Sequence, residues 1–431
     1  MSPLQKAAEP FRDLVDESFD EAAFLWRRWE SELASPTRNL DDIYSWTEDR
    51  LHGALEGIRV GGPASIETAT EALGSDDLSR VTAAAGILAT SPDRGATDAL
   101  AAALKDANGT RLRAMVRALE VLGSDQSLRA TASVLAAAGP DHAGALCRLK
   151  AFRRVPPGEE MAVALTADSA DAQVDAIRAA RLIPSAVESE ALSTMLQGGA
   201  APVQYAAVET ALCLRHPRAW DTAVAVVRKN APGAGPCLNL IGLFGTAEEH
   251  EVVYEALRNP NLQVPAIWAL GHIGTGRAVE ACLAGMKREA LARACGEAYS
   301  WITGADLERD RLAVPEPEVE TPALEDDDLD ADLVPPPEAL WPLPDPEASA
   351  RHWQALKTNW PPNVRYIRGR PVSGETLLVT IETGPMLRRP DLVLEIRVKT
   401  RGRCDVETRA FTARQRQMMA AARAASRKRE R

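Results

Sequence analysis

GPCLNLIGLFGT (residues 235–246) and VPAIWALGHIGT (264–275) are two copies of one pattern, 29 residues apart. Pro236 matches Pro265, Leu238 matches Ile267, Ile241 matches Leu270, Gly242 matches Gly271 and Phe244 matches Ile273, and each copy closes on Gly-Thr. The apolar positions recur at helical spacing. Each proline stands near a helix start, where a missing N–H costs nothing. Thr246 and Glu249 have the spacing of a capping box for the next helix, worth about 1 kcal/mol. Gly242 and Gly271 fall inside helices, where Gly costs about 1 kcal/mol relative to Ala. That cost, repeated at one phase, predicts a close approach between helices.

The same plan extends outward in both directions. SRVTAAAGILA, LRAMVRALEVLG, ALCRLKAFRRV, VDAIRAARLIP and VQYAAVETALCLR precede the pair, and ALARACGEAYSWITG follows it. Another helical stretch separates successive copies, such as RGATDALAAALKD or PRAWDTAVAVVRK. About eight helix pairs with a period near 30 result, the mark of a stacked-helix solenoid whose pairs bury their apolar faces only against neighbours. The expected fold is all-α, a HEAT-like α-solenoid. Its first helices are expected on the convex side and its second helices on the concave side.

Composition agrees. The chain has 431 residues, 45% hydrophobic, with few aromatics and a net charge of −11. Ala and Leu dominate, favouring helix over strand. The acidic balance argues against the whole chain being a nucleic-acid binder. The cysteines (147, 213, 237, 282, 295, 404) lie far apart with no C-x-x-C, which predicts reduced, buried thiols in a cytoplasmic protein. The N-terminal segment lacks the apolar core of a signal peptide. No apolar run reaches the roughly 18 residues of a membrane helix.

Five segments are expected. Residues 1–62 read as a helical hairpin. Its first helix, over 10–33, carries Phe11, Leu14, Val15, Phe19, Ala22, Leu25, Trp26 and Trp29. Its second carries Ile43, Trp46, Leu51, Leu55 and Ile58. The solenoid fills 63–304. Residues 305–347 read as an acidic, Pro-rich linker; within it, 313–347 hold nine prolines, twelve acidic residues and no Lys or Arg. Such a composition buries too little apolar surface to offset its ordering entropy. A small C-terminal module is expected over 348–410, with a helix stopped by Pro361-Pro362, an extended VRYIRGRPV, and two segments, ETLLVTIET and LVLEIRVKT, that suit strand or helix. A basic tail closes the chain over 411–431.

Chemistry-bearing patterns are sparse. His272 aligns with Leu243, so its position accepts an apolar residue, and Trp268 one turn earlier is a packing partner. The six histidines (52, 142, 216, 250, 272, 352) form no H-x-x-x-H or H-E-x-x-H, so no metal site is expected. No G-x-S-x-G, Walker loop or G-x-G-x-x-G occurs, and GTGRA (274–278) joins two helices. Asp41-Asp42 and Asp76-Asp77 precede helices and suit caps. The EDDD run (325–328) reads as solvated linker. No cofactor and no enzymatic activity are expected.

Three blocks carry a resemblance: DEAAFLWRRWESELASPTRNLDDIYSWTEDRLHGALEGIRVGG, REALARACGEAYSWITGADL and LWPLPDPEASARHWQALKTNW. Together, in this order, they resemble a proteobacterial family of HEAT-repeat proteins found in type VI secretion gene neighbourhoods and related in repeat type to bilin-lyase-like HEAT repeats. The chain departs from it at WTEDRL (46–51), where an LDERL core is expected. The resemblance implies no catalytic residues. It points to a protein–protein interaction scaffold, an adaptor, chaperone or accessory for a type VI spike or effector. Alternatives are a bilin-lyase-like ligand-binding protein and an immunity-type protein that neutralises a toxin. The expected partner is another protein, with no membrane or nucleic acid. Arg111, Gln204, Glu209 and Gln263, polar residues on second helices, are candidate contacts, as are Trp341 and Trp353 beyond the array, which flank the linker and are expected to anchor it on a partner or on the array itself.

Overall fold

The computed structural model describes residues 3–315 and 340–427. It is an all-α, helical-repeat, solenoid-like fold. In chain order the helices are α1 (Pro3–Glu32), α2 (Leu40–Ile43), α3 (Asp49–Val60), α4 (Pro63–Ala72), α5 (Leu78–Thr90), α6 (Arg94–Asp106), α7 (Gly109–Leu122), α8 (Asp125–Ala137), α9 (Pro140–Phe152), α10 (Glu160–Ala164), α11 (Ala170–Ala180), α12 (Glu190–Gln197), α13 (Ala201–Leu214) and α14 (Ala219–Arg228). There follow α15 (Ala234–Phe244), α16 (Glu251–Ala256), α17 (Gln263–Ile273), α18 (Gly276–Gly285), α19 (Glu289–Thr303) and α20 (Pro346–Lys357). Strands β1 (Tyr366–Ile367) and β2 (Arg370–Pro371) form a small antiparallel hairpin. Then come α21 (Gly374–Thr383), α22 (Arg389–Thr400) and α23 (Thr412–Arg427). Helices α4 to α19, sixteen in succession, fill the repeat region. No described helix is long and apolar enough to cross a membrane.

Two compact units divide the chain. One comprises 1–222 with 385–431, the other 223–384. The segment expected as one module, 348–410, is therefore shared between them, and the tail over 411–431 belongs to the first. Most of the acidic linker lies outside the described residues.

In the first unit, α1 packs on α3, and the second helices of successive pairs form a row, α5 on α7 on α9 on α11 on α13. The reason lies in their apolar faces: Val81, Leu88, Leu112, Leu119, Leu146, Ile177 and Val208 are all buried. Polar caps start several helices. Asn39 and Asp42 form a capping box on α2, and the Asp77 side chain accepts from Ser79 N and Arg80 N at the start of α5.

Trp46 departs from its expected place on the buried face of the hairpin: it is 56% exposed, under the guanidinium of Arg38 at 4.8 Å. A π-turn over 44–48 between α2 and α3 is the cause. Its i→i+5 bonding inserts a residue into the helical phase, so Thr47 and Glu48 turn inward instead. Leu14 is exposed as well, while Val15, Phe19, Ala22, Leu25, Trp26 and Trp29 are buried as expected.

In the second unit, α15 packs on α17 and α17 on α19. A Cβ at Gly242 would lie 2.6 Å from the Ala269 carbonyl oxygen, so the close approach expected of this glycine is present. Thr246 N donates to Glu249 Oε2 at 2.7 Å and Glu249 N to Thr246 Oγ1 at 3.4 Å, completing the capping box. His272 is fully buried, edge-on to Trp268 at 6.3 Å. Helix α17 ends at Gly274, φ 61°, where the left-handed turn suits glycine. The hairpin region supplies further termination: Tyr366 N donates to Gly274 O at 2.9 Å, and Gly369 N donates to Ile302 O at 2.9 Å in the last turn of α19.

The two ambiguous segments are both helical. Ser373 Oγ caps α21 by accepting from Thr376 N at 3.1 Å, and Pro390 sits in the first turn of α22. Caps, not β-branched content, decide their structure.

Candidate functional site

The row α7–α9–α11–α13 faces the C-terminal return of the same unit. Between them lies a cleft of about 510 Å³. One wall carries Arg113 and Glu120 from α7, Arg148 and Phe152 from α9, Asp171, Asp175 and Arg178 from α11 with Arg181 just after it, and Tyr205 and Glu209 from α13. The other wall is Asp391, Leu394 and Arg397 of α22 with residues 406–409. The helices place these charges along one side because their other faces fill the apolar core.

Ion pairs organise the walls. Arg148 Nε donates to Glu120 Oε1 at 2.6 Å, and Arg117 Nη1 donates to Glu120 Oε2 at 3.0 Å. Arg113 pairs with Asp171 at 3.0 Å and with Asp175 at 3.8 Å. Arg178 and Arg181 each approach Glu209 to 3.6 Å. Arg397 bonds Asp405.

The stretch 404–411 completes the site as a strap. Asp405 and Glu407 both reach Arg154, at 3.1 and 3.7 Å. Arg117 Nη2 donates to the Arg409 carbonyl at 2.6 Å, and Arg409 pairs with Glu30 at 3.1 Å. Phe411 packs on Trp29, with ring centroids 4.7 Å apart. Beyond it, Thr412 N and Thr412 Oγ1 donate to the buried Glu48 carboxylate at 2.7 and 2.9 Å. The tail's first part is thus docked on the N-terminal hairpin, with Arg416 on Asp41.

Burial shifts several groups. Burial pushes the Asp175 carboxyl up to about 6, against the pull of Arg148 and Arg113. Burial also lowers Arg148, but Glu120 and Asp175 outweigh it and hold the guanidinium above its ordinary value. The six cysteines form no disulfide; burial pushes Cys147, Cys237 and Cys295 to about 12 and Cys213 to about 11. They pack as apolar groups. Among the described residues no group of three or more His, Cys, Asp or Glu is placed to hold a metal ion.

The raised Asp175 predicts a stability effect. Its folded pKa exceeds the ordinary 3.8 of an aspartate, so the folded state keeps a proton that the unfolded chain releases. Stability from this group is present at low pH and is lost as pH rises through about 6. Asp175→Asn is therefore expected to stabilise the protein at pH 7 by roughly 1–3 kcal/mol and to flatten its pH dependence between about 4 and 6. Arg113 keeps Asp171. Urea unfolding at pH 7 and pH 4 measures it; a destabilised variant at pH 7 defeats the assignment.

The candidate contacts expected from sequence do not converge. Of these, Glu209 lines the cleft. Arg111 is half-buried and donates to Leu73 O at 3.0 Å, and Gln204 Nε2 donates to Leu196 O at 3.2 Å. Gln263, expected to be exposed, is buried, with Nε2 donating to Leu257 O at 3.0 Å and Oε1 accepting from Arg288 at 3.2 Å. Trp341 and Trp353 are buried too; Trp341 O accepts from Arg293, and Trp353 meets Trp360 edge-on at 5.5 Å. These side chains serve helix connections and packing in the second unit. The cleft arginines were missed, yet a signal existed. Arg148 and Arg178 interrupt the apolar helix copies at a spacing of 30, close to the repeat period, and Arg117, behind the cleft wall, stands 31 residues before Arg148.

Neither protein-family models nor curated proteins match this chain.

Proposed function

We propose that the chain is a protein-binding scaffold and that its partner engages the charged cleft of the first unit. One observation carries this reading: the row α7–α13 already holds a non-helical stretch of polypeptide, residues 404–411. It grips that stretch through two carboxylates and one backbone carbonyl. Fixed arginines suit such recognition because the planar guanidinium binds carboxylate and carbonyl oxygens with little loss of freedom. The role extends to an adaptor, chaperone or accessory for a type VI secretion spike or effector, supported by the resemblance of three sequence blocks. A cytoplasmic location belongs to the same reading, supported by six cysteines that form no disulfide.

Affinity purification of the tagged full chain from its native host tests this. Spike or effector components enriched over a mock control, and depleted with a cleft variant, are the expected result. Equal recovery in the control defeats the secretion role.

A further inference from the structure

We propose that Arg178, Arg181 and Arg397 form a subsite for the carboxylates of an acidic, non-helical segment of a partner protein. The inference rests on the protein-binding reading and names the chemistry the cleft selects.

The strap displays the mode. Asp405 and Glu407, two residues apart in a stretch without helix, are both taken by Arg154, and Asp405 also by Arg397. Next along the row the supply of carboxylate runs short. Arg178 and Arg181 lie three residues apart, at the end of α11, and so share one side of the helix. Both rely on Glu209, and each approaches it no closer than 3.6 Å, beyond a good charge-assisted hydrogen bond. Within ion-pair reach, the four guanidiniums Arg154, Arg178, Arg181 and Arg397 meet three carboxylates, Glu209, Asp405 and Glu407, while Asp391 also lines the cleft. The buried Nε atoms of Arg181 and Arg397 have no acceptor. At the other end of the cleft, Arg113 and Arg148 are already matched by Asp171, Asp175 and Glu120.

Access agrees with this polarity. The Arg178 side chain is 43% exposed, whereas those of Arg181 and Arg397 are 14% and 9% exposed. All three line the cleft. An incoming carboxylate meets Arg178 first and finds the other two guanidiniums behind it, in surroundings screened less than the open surface. A lysine-rich segment meets net repulsion at the same place.

Fluorescence anisotropy of the full chain with a short labelled peptide of alternating Ala and Glu tests the subsite. A Lys counterpart and inorganic phosphate serve as the other probes. The Glu peptide is expected to bind and to weaken as salt rises. Arg178→Glu should lower its affinity about tenfold or more, and Arg178→Gln less. Arg178 is partly exposed, so the thermal transition of either variant should match the parent. The proposal is overturned if the Lys peptide binds equally, if Arg178→Glu leaves binding unchanged, or if phosphate alone displaces the peptide at equal concentration. Affinity capture with Arg178→Glu separates the two readings. Undiminished capture of a spike or effector component leaves the scaffold standing and removes the subsite. Arg178-dependent peptide binding without such capture supports the subsite and removes the assigned partner.

Discussion

Replacing Arg117 by Leu is expected to destabilise the first unit by about 3–5 kcal/mol. The side chain is buried and fully used: Nε donates to Glu30 at 2.5 Å, Nη1 to Glu120 at 3.0 Å and Nη2 to the Arg409 carbonyl at 2.6 Å. Its guanidinium also lies 5.2 Å from the Trp29 ring centre and 5.6 Å from that of Phe152. A leucine fills part of the volume but leaves two carboxylates and a carbonyl short of a donor. Uncompensated buried charge is what makes such a loss large.

Glu30 supplies a second readout. Burial pushes its carboxyl up, yet Arg117 and Arg409 together hold it below the ordinary value. A lowered folded pKa means stability that is present above the unfolded value and is lost as pH falls through the folded one. Without Arg117 the burial contribution is opposed by Arg409 alone, so that acid-sensitive stability should shrink or reverse sign. Urea unfolding at pH 7 and at pH 4 measures both effects. A loss below about 1 kcal/mol at pH 7 is a surface-pair value and contradicts the central role given to Arg117.

Glu48→Leu is the second large effect, a loss of about 2–4 kcal/mol from three stranded donors, offset in part by removing a buried charge. Thr412 N, Thr412 Oγ1 and Trp29 Nε1 all donate to this carboxylate, the last at 3.3 Å. The expected damage is local first. Amides of α23 should lose protection in hydrogen exchange, because Glu48 ties the start of that helix to the N-terminal hairpin. Glu48→Gln keeps an acceptor and should cost about 1 kcal/mol.

The pH dependence has the opposite sign from that of Glu30. Burial raises Glu48 above its ordinary value, against hydrogen bonds from Thr412 and Trp29. The folded state then holds a proton over the window between the unfolded and folded pKa values, and stability from this group falls as pH rises through it. Glu48→Gln should lack that component. Unchanged α23 protection in Glu48→Leu contradicts the docking role.

The repeat was legible because stacking imposes a periodic demand on each pair. Pro236, Pro265, Gly242 and the Thr246–Glu249 box each have a local cause and stand where their spacing placed them. Trp46 was misread because a π-turn shifts helical phase without any residue type that announces it. Gln263 was misread because polarity does not say which way a side chain faces. The cleft arginines were hidden for a related reason: their charge matters only once helices about 30 residues apart stand side by side.

By itself, then, the sequence determined the all-α repeat, its period and its caps, since these follow from local spacing and neighbour packing. Only the tertiary structure decided that residues 385–427 return to the first unit, that Phe411 and Thr412 dock on Trp29 and Glu48, and that Arg178, Arg181 and Arg397 converge. Those contacts join residues more than two hundred positions apart. No local period encodes them; aromatic packing of Phe411 on Trp29 and hydrogen bonds from Thr412 to Glu48, strengthened in low-dielectric surroundings, hold them.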